Sequence, residues 1–339
     1  MGTLAVLENP EEEYLITMLV RHASSLCVLF AVAVAQLEQP RFTAESNVVL
    51  VPILVKGQDG DPVYGLSSDD FVVEDDGAVE SARLDEAAEG EPISLMVAIQ
   101  CGRRAKHEFG RIRGLGSMLD PILRQGETEA ALLVFDSGLE LRRDFTRDAG
   151  AIEAGLQELA PGDKGAVILD AVDYSVKLLD KRPRGRRRVL LLISETRDHG
   201  SHFATPEDVV SLIGASNTAV YALAFSPGVS NVLDTARGTN QDEIGPTADV
   251  LAVLALAAQA MRKNVAKTIA AQTGGEYQWF ETEKAFEAHM MEFTNHLHSR
   301  YLLSFEPNDP HPGLHRIRVH LKEPAKGTVL ARSNYWAGR

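Results

Sequence analysis

The sequence predicts an α/β protein: a doubly wound, mostly parallel sheet inserted in a small β-sandwich formed by both chain ends. Three observations carry this reading. From Pro92 onward, apolar runs of strand length alternate with segments of helical period, the pattern of strands joined by helical crossovers. The runs at 94–99, 130–135, 189–193 and 219–225 lack polar alternation, as strands covered on both faces do. Both flanks of this region are rich in β-formers and punctuated by turn residues, and two such pieces can close into one sandwich.

Taken in order, NVVLVPILV at 47–55 is apolar and β-branched, and GQDGDPVYG after it supplies turn chemistry. A short strand at 71–74 and a turn at Asp75-Asp76-Gly77 complete the first β piece. Helical segments at 104–124, 148–159, 167–179 and 206–214 separate the core strands. LELRRDF at 139–145 alternates, with arginines on one side, and reads as an edge strand. A polar, Gly-containing stretch at 226–247 is too long for a simple connection and reads as an insertion. The region 248–275 reads as one long helical stretch stopped by Gly274-Gly275. Its apolar surface is interrupted by Gln259 and Arg262, which makes it a buried helix rather than a membrane span. EYQWF is a short strand, EKAFEAHMMEFTNHLHSR the last helix, and RYLLSFEP, HRIRVHLKEP and TVLARSNYW the closing strands.

The start of the chain has a different character. Arg21 and His22 precede an apolar run at 23–34, and Ala33-Val34-Ala35 leads into Gln36. A short basic region, a short apolar region and an A-x-A site make a secretory signal peptide. The acidic stretch before it fits no targeting pattern, so Met18 is the expected true start and Gln36 the first mature residue. The expected organisation is therefore a signal peptide region at 1–35, a sandwich from 45–90 with 300–337, and an α/β domain at 91–299. The product is exported, periplasmic or extracellular, with no stable membrane span in the mature protein.

A net charge of −14 over 339 residues excludes a general nucleic-acid binder, because neutralising phosphates needs a concentrated basic face. The one basic run, KRPRGRRR at 181–188, lies directly before an apolar strand and reads as a solvated loop rather than a polyanion patch. Of the two cysteines, Cys27 falls in the expected signal, which leaves Cys101 without a disulfide partner. No Cys-His pattern, G-x-S-x-G elbow, H-E-x-x-H run or P-loop is present. His296 and His298 are two residues apart on the last helix and face different ways, so they do not share one ion. No enzyme activity and no cofactor are expected.

Several segments in order carry a resemblance: VPILVKGQDGDPVYGLSSDDFVVEDDG, LLVFDSGLELRRDFTRD, ILDAVDYSVKLL, RVLLLISETRD, AAQTGGEYQWF and RYLLSFEPNDPHPGLHRIRVHLKEP. Together they resemble the von Willebrand factor A-related proteins of acidobacteria and some other bacteria. Related A domains hold a divalent cation at the carboxyl ends of the sheet strands. One loop there reads D-x-S-x-S, a second loop supplies threonine and a third supplies aspartate. A hard cation takes oxygen ligands. The resemblance puts Gln100 at that aspartate, Gly102 and Arg104 at the two serines, Ala166 at the threonine and Glu195 at the last aspartate. The site is degenerate, and the positive charge of Arg104 opposes a divalent ion. Two readings of Arg104 stay open: a charge-assisted pair with Glu195 across the old metal position, or a guanidinium pointing into water.

What the resemblance implies is a protein-binding, adhesion or scaffold module. It uses the top face of the A-type domain without an essential divalent metal, and Arg103, Arg104 and Glu195 are its candidate partner-binding residues. The protein partner is unknown. Two alternatives remain: metal-dependent adhesion through a non-standard site, and a structural spacer whose β-sandwich makes the contacts.

Overall fold

A computed structural model describes residues 48–85, 91–102, 104–124, 127–225 and 250–337. The expected signal peptide with Met18 and Cys27, the stretch 226–247, and Arg103 lie outside the described residues.

The centre is a six-stranded sheet. Its strands are β5 (Ile93–Gln100), β6 (Glu129–Phe135), β7 (Leu139–Thr146), β8 (Arg187–Ser194), β9 (Thr218–Phe225) and β10 (Tyr277–Phe280), in the order β10-β9-β8-β5-β6-β7. Every pair is parallel except β6 with β7. All residues of β5 and β6 are buried, which explains their unbroken apolar sequence. β7 is half-exposed along its length, as its alternation predicts for an edge. Registers such as Val97 opposite Leu132 on one side and Leu191 on the other set odd-numbered β5 residues toward one apolar layer. Even-numbered residues such as Met96 and Ala98 face a second layer.

Eight helices surround the sheet within the described residues: α1 (Phe109–Ile112), α2 (Leu115–Leu123), α3 (Ala149–Gln157), α4 (Ile168–Asp180), α5 (Pro206–Ala215), α6 (Val250–Lys263), α7 (Val265–Gln272) and α8 (Glu283–His298). Residues of α2, α3 and α8 fill the first layer; those of α4, α5 and α7 fill the second. The structure corrects two helix expectations. The segment 104–124 is not one helix but a 3-10 turn at Ala105–His107 followed by α1 and α2, with Gly114 in the break between the two helices. The long stretch 248–275 is divided at Asn264, whose side chain accepts from Lys267 N at 2.9 Å and starts α7. Gly274 ends α7 at φ 71°, where a Cβ would lie 2.6 Å from Arg332 N.

Strands from the two chain ends pair with each other. One sheet runs β13-β1-β11-β4, with β1 (Val49–Lys56), β4 (Ala82–Asp85), β11 (Tyr301–Phe305) and β13 (Thr328–Ala331). The other runs β14-β12-β2-β3, with β2 (Phe71–Asp75), β3 (Ala78–Glu80), β12 (Gly313–Leu321) and β14 (Asn334–Ala337). Val51, Ile53 and Leu303 of the first meet Phe71, Val73 and Ile317 of the second in a separate core. The acidic turn after β2 is not wholly solvated: Asp75 is buried and accepts from Tyr335 Oη at 2.7 Å.

Two polar clasps tie the sandwich to the α/β part. Lys56 Nζ lies 2.6 Å from Glu292 Oε1 and 3.3 Å from Glu276 Oε2, and Glu276 Oε1 also meets His296 Nδ1 at 2.7 Å. Glu276, Glu292 and His296 have the spacing of metal ligands, but here an ammonium group occupies their focus. Arg332 is buried and donates to Asn334 O, Asn217 Oδ1 and Gly214 O, each at 2.7 Å.

Candidate protein-binding face

The carboxyl ends of β5, β6 and β8 and the loops after them form the face where open α/β sheets bind ligands. Gln100, the last residue of β5, is fully buried. Its Oε1 accepts from Glu195 N at 2.8 Å, and its Nε2 donates to Gly102 O at 3.3 Å. An amide can do both; a carboxylate cannot donate. Gln100 thus crosslinks the β5 and β8 loops through both ends of its amide.

Gly102 is closed in by the next loop. A Cβ there would lie 2.1 Å from Gly165 O and 3.0 Å from Asp136 Cβ. The loop 162–165 packs this closely because Gly162 N donates to Cys101 O at 2.9 Å and Asp163 N to Asp136 Oδ2 at 3.1 Å. Backbone therefore stands where a serine side chain would extend. Ala166 contributes a buried methyl, and its N–H and C=O pair with His199. Glu195 is buried, whereas Arg104 is exposed at the start of the 3-10 turn. Among the described residues Arg104 and Glu195 form no ion pair with each other. Burial pushes the Cys101 thiol up to about 12, which keeps it protonated and unreactive at neutral pH.

Carboxylates on this face serve the backbone. Asp163 Oδ1 accepts from Ser137 N at 3.1 Å and Gly165 N at 2.7 Å, and the Ser137 hydroxyl with these amides holds its pKa below the ordinary value. Asp198 Oδ1 accepts from Leu169 N at 3.0 Å. Asp170, buried near the start of α4, accepts from three consecutive amides: His202 N at 2.9 Å, Phe203 N at 3.0 Å and Ala204 N at 2.8 Å.

That last set has a consequence no sequence pattern announced. The loop pinned by Asp170 presents Phe203 with 90% of its surface exposed. A large apolar ring in water is ordinary on a mobile loop, but this one sits on backbone held at three points by a buried carboxylate. The loops of the same face also carry cations without acidic partners among the described residues: Arg104, Lys106, Lys164 and Arg197 are all exposed. Spacing could not have revealed Phe203, since only the tertiary path of 199–204 leaves it uncovered. The signal available was a run of turn residues, DHGSHF, ahead of an α5 N-terminus capped by Thr205.

The sheet order and the loop positions define an open α/β domain, parallel except for its edge strand β7. No protein-family model and no curated protein matches the chain. Among solved structures it is similar to BatB from Bacteroides thetaiotaomicron, at 13% identity over 60% of this chain and 98% of that one, with a TM-score of 0.40. It is also similar to the von Willebrand factor domain of the type V pili tip protein Mfa5 from Porphyromonas gingivalis, at 8% identity, 61% and 96% coverage and a TM-score of 0.40. With the pilus adhesin SpaC from Lactobacillus rhamnosus GG it shares 10% identity over 85% of this chain, spanning 49% of that protein, at a TM-score of 0.41. No helix among the described residues is long and apolar enough to cross a membrane.

Proposed function

We propose that this chain is an exported, non-enzymatic adhesion or scaffold protein whose A-type top face binds a protein partner without a divalent metal. The observation that carries the reading is Phe203, fully presented on a loop whose backbone is fixed by Asp170. Aromatic anchors on rigid supports dominate binding energy at protein interfaces, because little ordering entropy is lost when they dock. The exposed cations of the same face direct the choice of partner toward one with carboxylates around an apolar pocket. Arg104, with Arg103 beside it in sequence, takes the recognition role a metal bridge has in metal-dependent relatives. Glu195, being buried, positions the loop through its backbone bond to Gln100 rather than touching the partner.

Metal independence follows from the same chemistry. The old ligand positions carry an amide, a glycine closed in by Gly165 and an alanine, while Asp136, Asp163, Asp170 and Asp198 spend oxygens on backbone or hydroxyl donors. The test is selection of a displayed random peptide library on the protein in the presence of a chelator, followed by calorimetric titration with Mg²⁺ and Mn²⁺. Acidic, apolar peptides that are retained by the wild type and lost with Phe203→Ala support the proposal. Binding that needs Mg²⁺ or ignores Phe203 overturns it.

A further inference from the structure

The basic run at 181–188 is not the solvated loop its composition suggests. Arg182 is bidentate on Glu129 at 2.8 and 2.7 Å. Arg186 donates to Ser94 Oγ and Ile93 O at 2.8 Å and to Glu127 O at 2.6 Å. Arg188 reaches Asp180 Oδ1 at 3.0 Å. Their partners are carboxylates, carbonyls and a hydroxyl, drawn from β5, the start of β6 with its approach, and the end of α4, and the run is a staple at the amino ends of the central strands.

Arg187 is the exception. Strand alternation turns it to the face shared by Val189, Leu191 and Ile193, away from the acids its neighbours use. Its side chain makes no hydrogen bond or ion pair among the described residues, and burial lowers its pKa. It lines a cavity of about 400 Å³ between the central sheet and the sandwich. A second guanidinium, Arg300, 5% exposed, lines the same cavity. Its Nε donates to Tyr221 Oη and its Nη1 to Gly274 O, both at 2.7 Å, while its Nη2 is buried without a partner. The two cations repel each other. Glu91 also lines the cavity but forms no ion pair with either arginine; its pKa is raised by burial, against the opposing field of Arg187.

Arg187 is half-buried and Arg300 buried; a guanidinium drawn out of water without a bonded counter-ion is costly, and the unpaired donor of Arg300 adds to the cost. Structures keep such groups where a ligand supplies the missing charge. Leu50, Leu297 and Leu302 give the cavity an apolar wall, while Arg184 and Asn217 add polar surface elsewhere in its lining.

We propose that this cavity binds a small amphiphilic oxyanion, its charged head bridging Arg187 and Nη2 of Arg300 and its short hydrocarbon body lying on Leu50, Leu297 and Leu302. Planar guanidinium groups match both phosphate and carboxylate oxygens, so these head groups share one recognition chemistry. The site lies at the amino ends of β8 and β9, the opposite end of the sheet from the partner-binding face, and does not depend on that reading.

The test measures urea midpoints of the full chain with inorganic phosphate, octyl phosphate, octanoate and octanol. Octyl phosphate or octanoate is expected to raise the midpoint more than inorganic phosphate does, and the better of the two identifies the head group. Arg187→Gln is the decisive variant, because a residue with no side-chain bonds to lose should tolerate it. Without ligand the variant is expected to be at least as stable as the wild type, and its affinity for the best anion at least tenfold weaker. The proposal is overturned if octanol works as well as the anions, if no anion moves the wild-type midpoint, or if Arg187→Gln responds as the wild type does. It is equally overturned if Arg187→Gln destabilises the ligand-free protein, since Arg187 is then structural.

Discussion

Placing a serine at Gly102 tests how tightly the loop after β5 is packed against the loop 162–165. A Cβ at this position would sit 2.1 Å from Gly165 O, whereas carbon–oxygen contacts settle near about 3.3 Å. The loop 162–165 must therefore retreat by more than about 1 Å. That loop is held by Gly162 N on Cys101 O at 2.9 Å and by Asp163 N on Asp136 Oδ2 at 3.1 Å. Overpacking costs about 1–3 kcal/mol, and each hydrogen bond strained or lost adds about 0.5–1.5 kcal/mol. Gly102→Ser should thus destabilise the protein by about 2–4 kcal/mol in total. With a urea slope of about 3 kcal/mol per molar, the unfolding midpoint falls by about 1 M. Mg²⁺ should not recover the loss, because Gln100 and Ala166 still offer no suitable ligands. A variant as stable as the wild type, or one rescued by Mg²⁺, would refute this account of the loop.

Phe203→Ala should change stability by no more than about 0.5 kcal/mol in urea titrations, since the ring is solvated in the free protein. Asp170→Ala strips the acceptor from three amides and should cost about 3 kcal/mol, with faster amide exchange at 202–204 as the local readout. Lys56→Met leaves Glu276 and Glu292 facing each other without their cation and should cost about 3 kcal/mol by chemical denaturation. Glu292 also sets an acid limb. His289, against burial and with help from Lys56, holds its pKa down to about 2, below its ordinary 4.5. The stability it confers is present above about pH 4.5 and is lost as the pH falls toward 2; a stability–pH curve flat across that window for the wild type contradicts the assignment.

Much of the fold was legible because burial on both faces of β5, β6 and β8 leaves an unmistakable apolar run, and because β7 keeps its alternation. The segment 104–124 breaks at Gly114 but carries Gly110 inside α1, and glycine inside an apolar period does not say whether a helix tolerates it or stops. At the candidate site the sequence named Gln100, Gly102, Ala166 and Glu195 as loop positions of one face. How they pack was not legible, since the contact between Gly102 and Gly165 joins two loops 63 residues apart. The arginines at 181–188 misled for the same reason: Glu129 and Ser94 come to them only through the folded sheet. Phe203 is the opposite case, an apolar residue whose importance lies in what fails to cover it.

The pairing of β1 with β11, in which Val49 faces Phe305, makes the sandwich a late product of folding. Closing so long a loop in an unfolded chain is entropically expensive, and pairings of such separation form slowly. Once the intervening domain has folded, however, Asp85 and Leu302 are already opposite each other, and the effective separation collapses to a few residues. The sandwich then acts as a checkpoint. Only a molecule whose central domain has been completed can assemble β1, β4, β11 and β13, and one that has not leaves those strand edges open to proteases and chaperones.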